Sequence, residues 1–472
     1  MAVDSQTKNK VFLFGIDGAA PELLFDTWLS DLPTIRSLVE RGCHAKLNST
    51  IPPITIAAWN AMLSGKEVSQ LGVFGYSYKN ASGETKIADS SLIKTELLWD
   101  YLGHENKKTI ALYVPLSYPA KPINGIMVTD FLTPGVNSNC TYPEQIKEKI
   151  KTLGNTECFF DVAVGLAGHK GLEVGVLIEK TYEMTKMQLA LLNDLITTHD
   201  WDVCVAVMIG SDRLQHMLWN HFDPKHRKFI KNSPHANALK EYYIYLDTEL
   251  GKILKQLDDN TTIIVASDHG MVRQEGKINI NNWLMQEGYL VLKDGVPSKK
   301  TRFSTALVDM EKSIAYGSGA YHARVFINKE KVGKDYEKIR QELTHKLKAI
   351  PDDSGKPIKT VVFRKEDIYE KLDDRECPDL TIYFDDLRWA SNPDLGQESI
   401  YSWETALGAD TAGHSRQGSF IIAGKNIKHE KNIGELDICQ VAPTILKALN
   451  SKSQHGIKVK HAEVFTNEYA NE

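Results

Sequence analysis

The stretch Thr262-Ile263-Ile264-Val265-Ala266-Ser267-Asp268-His269-Gly270 decides how the chain reads. A β-branched apolar run is stopped by a carboxylate, an imidazole and a glycine, which predicts a buried strand delivering metal-type ligands at its C-terminal edge. Parallel α/β sheets hold their ligand sites at that edge. Three more segments carry the same signal. Val11-Phe12-Leu13-Phe14-Gly15-Ile16 runs into Asp17-Gly18, and Asp202-Val203-Cys204-Val205-Ala206-Val207-Met208 leads to Asp212 and His216. Gly413-His414-Ser415 precedes the apolar run Ser419-Phe420-Ile421-Ile422-Ala423. Read alone, Asp17-Gly18 is a common turn, and His414 is one of 15 histidines.

Strands alternate with helical patterns, which argues for a mostly parallel sheet with helices on both faces. The first strand, about Lys10 to Asp17, is followed by a helical stretch from about Pro21 to Arg41. Further helices are expected over Pro143–Leu153, Glu173–Thr198, Asn237–Leu257 and Gln440–Asn450, with a strand over Thr109–Val114. At 472 residues the chain exceeds one typical domain. From about Glu287 to Arg375 the pattern changes: a polar stretch precedes a strand at Ala323–Ile327 and an amphipathic helix at Tyr336–Ala349. The expected organisation is a catalytic core over 1–286, an inserted α+β cap over 287–375, and a second part of the core over 376–472, resuming at Leu380–Phe384.

Composition narrows the function. Charged residues make up 25% and the net charge is -5, so there is no basic footprint for nucleic-acid duplexes. No run approaches the ~20 apolar residues of a membrane helix, and the polar start from Met1 to Lys10 lacks a signal-peptide core. The six cysteines form no CxxC pair, and Cys204 reads as a reduced core thiol. A cytosolic protein with no membrane partner is expected.

Asp212 and His216 are spaced i, i+4, so a helix would place both on one face, able to chelate one ion. An N-cap Asp with an exposed His is the competing reading. In Ser49-Thr50-Ile51-Pro52-Pro53-Ile54-Thr55, the prolines force an extended approach, and composition turns helical from Thr55. Thr55 therefore sits at or near a helix N-terminus, which suits an anionic ligand. Metal coordination is one route to activating a hydroxyl nucleophile. Carboxylate and imidazole ligands together suit Zn²⁺ or Mn²⁺ better than Mg²⁺ or Ca²⁺.

The ordered set Asp17, Thr55-x-x-x-Trp59 with Gly65 ten residues beyond Thr55, Asp212-x-x-x-His216, Asp268-His269-Gly270 and Gly413-His414-Ser415 resembles the alkaline phosphatase superfamily. Its type I phosphodiesterase/nucleotide pyrophosphatase branch is the nearest likeness, running from Val11 to the stretch Asp437–Leu446. The resemblance implies two divalent ions, Zn²⁺ first and Mn²⁺ second. One would be held by Asp17, Thr55, Asp268 and His269, the other by Asp212, His216 and His414. It implies a small-molecule phosphoester substrate and Thr55 attack on phosphorus to give a phospho-threonine intermediate. Cys43-His44-Ala45-Lys46 does not fit the sulfatase motif. The chain also departs from the branch: Ala57 stands where Pro is common, Gln70-Leu71-Gly72-Val73 replaces a His-Gly-Ile segment, and Tyr76 falls about where nucleotide-cleaving members carry Asn. Lys66, Tyr76 and Arg324 are the candidate substrate contacts, Arg324 from a closing cap. Rival readings are a phosphomonoesterase or cofactor-independent phosphomutase of the same superfamily, and a non-catalytic binding protein that keeps the fold.

Overall fold

The computed structural model describes residues 8–79, 85–163, 165, 168–372, 377–405, 408–453 and 457–466. Two expectations fall elsewhere: the polar start up to Thr7 and the 375/376 boundary of the insertion lie outside the described residues. The chain divides into two compact units. The larger comprises Met1–Gln215, Pro234–Met271 and Arg416–Glu472; the smaller comprises His216–Ser233 and Val272–Ser415.

A nine-stranded sheet runs through the larger unit. Its strands are β1 (Lys10–Ile16), β2 (Cys43–Asn48), β3 (Thr109–Leu112), β4 (Gly125–Val128), β5 (Thr141–Tyr142), β6 (Val203–Met208), β7 (Thr261–Ala266), β8 (Gln417–Ala423) and β9 (Lys431–Asp437). The spatial order is β9-β2-β8-β7-β1-β6-β3-β4-β5. β1 pairs in parallel with both β6 and β7, and β3 in parallel with β4 and β6. β8 is antiparallel to β2 and to β7, and β5 to β4, so the sheet is mixed but mostly parallel. Continuous apolar runs suit its centre because those strands are covered on both faces; every residue of β6 and β7 is buried.

Among the helices are α1 (Pro33–Glu40), α2 (Thr55–Ser64), α3 (Val174–Thr198) and α4 (Gly210–Phe222), of which α2 and α4 carry candidate site residues. The helical stretch expected from Pro21 to Arg41 is broken into three: a π turn at Glu22–Thr27, a 3-10 turn at Leu29–Asp31, and α1. Pro33 is the cause. It has no N–H and pushes Leu32 out of the helical region (φ -115°, ψ 74°), so it can begin a helix but not continue one. Among the described residues, no helix is long and apolar enough to cross a membrane.

The smaller unit is α+β. Strands at Ala315–Ser318, Ala323–Ile327, Leu380–Tyr383 and Val361–Arg364 form an antiparallel sheet in that order. The helix Tyr336–Lys348 contributes Leu343 and Leu347 to a shared core with Val325, Ile382 and Trp389. Leu380–Tyr383, read from sequence as the return of the larger core, pairs instead with Ala323–Ile327 and Val361–Arg364. An apolar β run does not specify which sheet receives it, because its partners lie far away in sequence.

Candidate metal centre

Because β1, β6 and β7 are adjacent and parallel, their C-terminal ends meet at one edge. Asp17 follows β1, Asp212 lies in the first turn of α4 after β6, and Asp268-His269 follows β7. Hydrogen bonds lock these exits together. The Asp17 N–H donates to Met208 O (3.1 Å), and Ser211 Oγ donates to Asp17 O (2.6 Å). The Gly18 N–H donates to Asp268 Oδ1 (3.3 Å), and the Ala19 N–H to Ser267 Oγ (2.8 Å). Ser267 Oγ in turn donates to His269 O (2.6 Å).

Thr55 is the first residue of α2, preceded by the extended Ile54, and is buried. Its Oγ1 lies 3.2 Å from His269 Nε2. One turn on, Trp59 Nε1 donates to Asp17 Oδ2 at 2.7 Å. That contact depends on Gly15: a Cβ there would come 2.5 Å from Cη2 of Trp59. A single glycine in β1 thus seats the indole that fixes Asp17.

His269 Nδ1 faces Gly270 O at 2.9 Å, so it carries the proton and donates. Nε2 is left as the ligand nitrogen, 3.2 Å from Asp268 Oδ2 and 3.7 Å from Asp17 Oδ1. One ligand atom each from Asp17, Asp212 and His269 lie within 4.8 Å of one another. Asp17 and Asp268 are completely buried (0% exposed). Burial, then the charge of Asp17, pushes the Asp268 carboxyl well above its ordinary range. Ionised carboxylates crowded away from water call for a compensating cation. The oxygen-and-imidazole donor set fits Zn²⁺ or Mn²⁺.

Burial raises the Tyr76 phenol pKa far above its ordinary value, with the nearby Thr55 hydroxyl opposing the shift. Its ring meets Phe131 edge-on (centroids 6.4 Å apart), and the Arg213 guanidinium lies 4.8 Å from the Phe131 centroid. Arg213 is buried and donates to both carboxylate oxygens of Asp161 (3.0 and 2.8 Å) and to Asp212 Oδ2 (2.9 Å). Sequence reading missed Arg213, Asp161 and Phe131. Arg213 follows Asp212 directly in sequence, which is its one local signal; Asp161 and Phe131 carry none.

In the smaller unit, His216 sits on α4, one turn beyond Asp212, and His414 on the strand Ala412–Ser415. Their rings are 5.3 Å apart. His216 Nδ1 donates to Ala412 O (3.0 Å), with Asp410 Oδ1 at 3.4 Å. Lys277 Nζ donates to the other oxygen of Asp410 (3.2 Å), both residues being buried. Neither Asp410 nor Lys277 was singled out from sequence.

One substrate-contact expectation changes. Lys66 follows the far end of the ten-residue α2, so it lies roughly 15 Å along the helix axis from Thr55. It cannot share a phosphate with that hydroxyl. Arg324 lies in the strand Ala323–Ile327 with its guanidinium 5.4 Å from the Phe326 ring centroid, and Tyr316 stacks on the same ring (5.3 Å).

His322, two residues before Arg324, is 3% exposed, and neither ring nitrogen finds a hydrogen-bond partner among the described residues. Burial, aided by Arg324, pulls its pKa down to about 3. An unfolded histidine titrates near 6.5, so below that pH the unfolded chain binds the extra proton. Stability should fall as pH drops from about 6.5 toward 3, with a slope of up to about 1.4 kcal/mol per pH unit from this group. Denaturant melts of His322→Phe and the parent at pH 7, 6 and 5 should diverge by that slope. Parallel curves would show that the imidazole titrates normally.

No curated protein matches the chain in sequence. Solved structures do match in fold. Murine ectonucleotide pyrophosphatase/phosphodiesterase 5 aligns with a TM-score of 0.56 at 13% identity, over 96% of this chain and 97% of that one. An inactive threonine-to-alanine form of the murine protein in complex with AMP aligns at 0.57 and 13% identity, over 98% and 99%. The human ectonucleotide pyrophosphatase/phosphodiesterase 5 aligns at 0.54 and 13%, over 96% and 97%. Residues 11–411 match the family model of type I phosphodiesterase / nucleotide pyrophosphatase, and the chain belongs to that family of hydrolases.

Proposed function

We propose that the protein cleaves phosphodiester or pyrophosphate bonds of small-molecule substrates, with Thr55 as nucleophile and two divalent ions, Zn²⁺ or Mn²⁺, as cofactors. The observation that carries this reading is a buried Thr55 hydroxyl, at a helix N-terminus, 3.2 Å from His269 Nε2, which itself lies 3.7 Å from Asp17 Oδ1. Asp17, Thr55, Asp268 and His269 would hold one ion, and Asp212, His216 and His414 the other. Bound there, the ions supply Lewis-acid activation of the hydroxyl and neutralisation of charge on the phosphoryl oxygens.

The chain's own residues do the rest. Thr55 Oγ1 forms the bond to phosphorus as the ester oxygen leaves, and water then hydrolyses the phospho-threonine. The N-terminal N–H groups of α2 face incoming negative charge. Tyr76, with its phenol near the Thr55 hydroxyl, helps to orient that oxygen. Trp59 holds Asp17 and the Arg213–Asp161 pair holds Asp212, so the ligand carboxylates need little reorganisation. AMP bound to the inactive murine neighbour supports a nucleotide-like product.

A substrate panel tests this. With Zn²⁺ or Mn²⁺ added, kcat/KM for a bis-aryl phosphodiester or a dinucleoside polyphosphate should exceed that for an aryl monoester by at least tenfold. A preference for the monoester would favour the phosphomonoesterase reading. Phosphoryl transfer back to the substrate, without net phosphate release, would favour a mutase.

A further inference from the structure

The hairpin Ala315–Ile327 carries an aromatic ring that the proposed chemistry does not use. Tyr321 stacks on the His414 imidazole with centroids 4.4 Å apart and planes 20° apart, and on His216 at 5.5 Å and 27°. One tyrosine therefore faces both histidines assigned to the second ion.

The glycines around it hold the ring in place. Asn281 donates to Gly317 O (3.0 Å) and accepts from the Gly317 N–H (2.7 Å). A Cβ at Gly317 would come 2.7 Å from Ile280 Cγ2. Gly319 has φ +89°, and a Cβ there would stand 2.2 Å from His322 O. Both glycines are close-approach positions, so the segment is a clamped turn. Immediately after Tyr321 the chain is buried again at His322 and Ala323. The turn thus has a fixed root on each side of the tyrosine.

We propose that Tyr321 is a positioning residue for this histidine pair: its ring sets the planes in which His216 and His414 present their ring nitrogens. The inference rests on the assignment of His216 and His414 to one ion. An imidazole must point its lone pair at the ion, and ring rotation is what a ligand histidine loses on binding. His216 has its Nδ1 fixed by Ala412 O, but a hydrogen bond in the ring plane leaves tilt about that axis open. A stacked aromatic face removes the tilt. Groups outside the coordination sphere that orient a ligand are worth about 10–100-fold in metal affinity.

The test is chelator-competition titration of Zn²⁺ on the full chain, with bound ions counted by elemental analysis. It is run for the parent, Tyr321→Phe, Tyr321→Leu and, in parallel, His414→Ala. Tyr321→Phe keeps the stacked face and should bind both ions within about threefold of the parent. Tyr321→Leu keeps bulk without a π face and should weaken one ion about 10–100-fold while sparing the other. Melting of the metal-free proteins accompanies each titration, so that loss of an ion is read only on folded chains. Unchanged affinities in Tyr321→Leu, or an equal loss in Phe and Leu, would overturn the role of the ring. Should His414→Ala keep the parent's ion count and affinities, the assignment of His414 to an ion fails, and the role of Tyr321 fails with it.

Discussion

Thr55→Ala is expected to abolish turnover while the protein stays folded and metallated. The hydroxyl is the proposed attacking group, and removal of a covalent nucleophile typically costs on the order of 10³-fold or more in kcat. Alanine is a good helix former, and the N–H groups of α2 survive the change, so the fold should tolerate it. Only one oxygen of the ligand set is lost, hence the affinity of the ion at Asp17, Asp268 and His269 should drop modestly. Thr55→Ser keeps the oxygen and should retain part of the activity. Steady-state kinetics, with ion content measured on the same samples, decides the matter. A fully metallated Thr55→Ala variant with the parent's kcat would mean that water attacks phosphorus directly.

The second large effect is expected at Asp268, with opposite signs on stability and on metal binding. This carboxyl is completely buried and faces Asp17, and both burial and that charge raise its pKa when no cation offsets them. An aspartate whose folded pKa is raised costs stability above its unfolded pKa near 3.9, and the cost persists at pH 7. Asp268→Asn removes it, because an amide carries no charge; its Oδ1 can still accept from the Gly18 N–H. Metal-free Asp268→Asn should therefore melt at or above the parent's temperature. Zn²⁺ stabilises in proportion to the logarithm of its affinity, so the metal-induced rise in Tm should shrink markedly and activity should fall with it. Thermal melts in chelator and in excess Zn²⁺ give both numbers. An undiminished metal-induced rise would remove Asp268 from the ligand set.

Several of these residues were legible because their signal is local. Asp17, Asp268 and His269 each follow a run of buried apolar residues, and such a run reads as a central strand wherever it occurs. The i, i+4 spacing of Asp212 and His216 needed only that the intervening residues be helical, and α4 spans Gly210–Phe222. Thr55 was marked by the prolines before it. The same local reading failed at Lys66, where adjacency to Gly65 said nothing about a ten-residue helix separating it from Thr55. It failed again at Leu380–Tyr383, an apolar strand given to the wrong sheet.

The sequence by itself thus marked most of the elements and the strand ends where candidate metal ligands stand, since periodicity and chain-stopping residues act within a few positions of where they stand. Tertiary structure alone decided which side chains bond to and pack against those residues. Trp59 reaches Asp17 across 42 residues, and His269 faces Thr55 across 214. Asp161 clamps Arg213 across 52 residues, and Tyr321 lies against His216 and His414 from a separate hairpin. Contacts of this kind depend on strand order, register and the space that a residue such as Gly15 leaves open. They arise from packing between segments that are distant in sequence, and packing leaves no periodic trace in either segment.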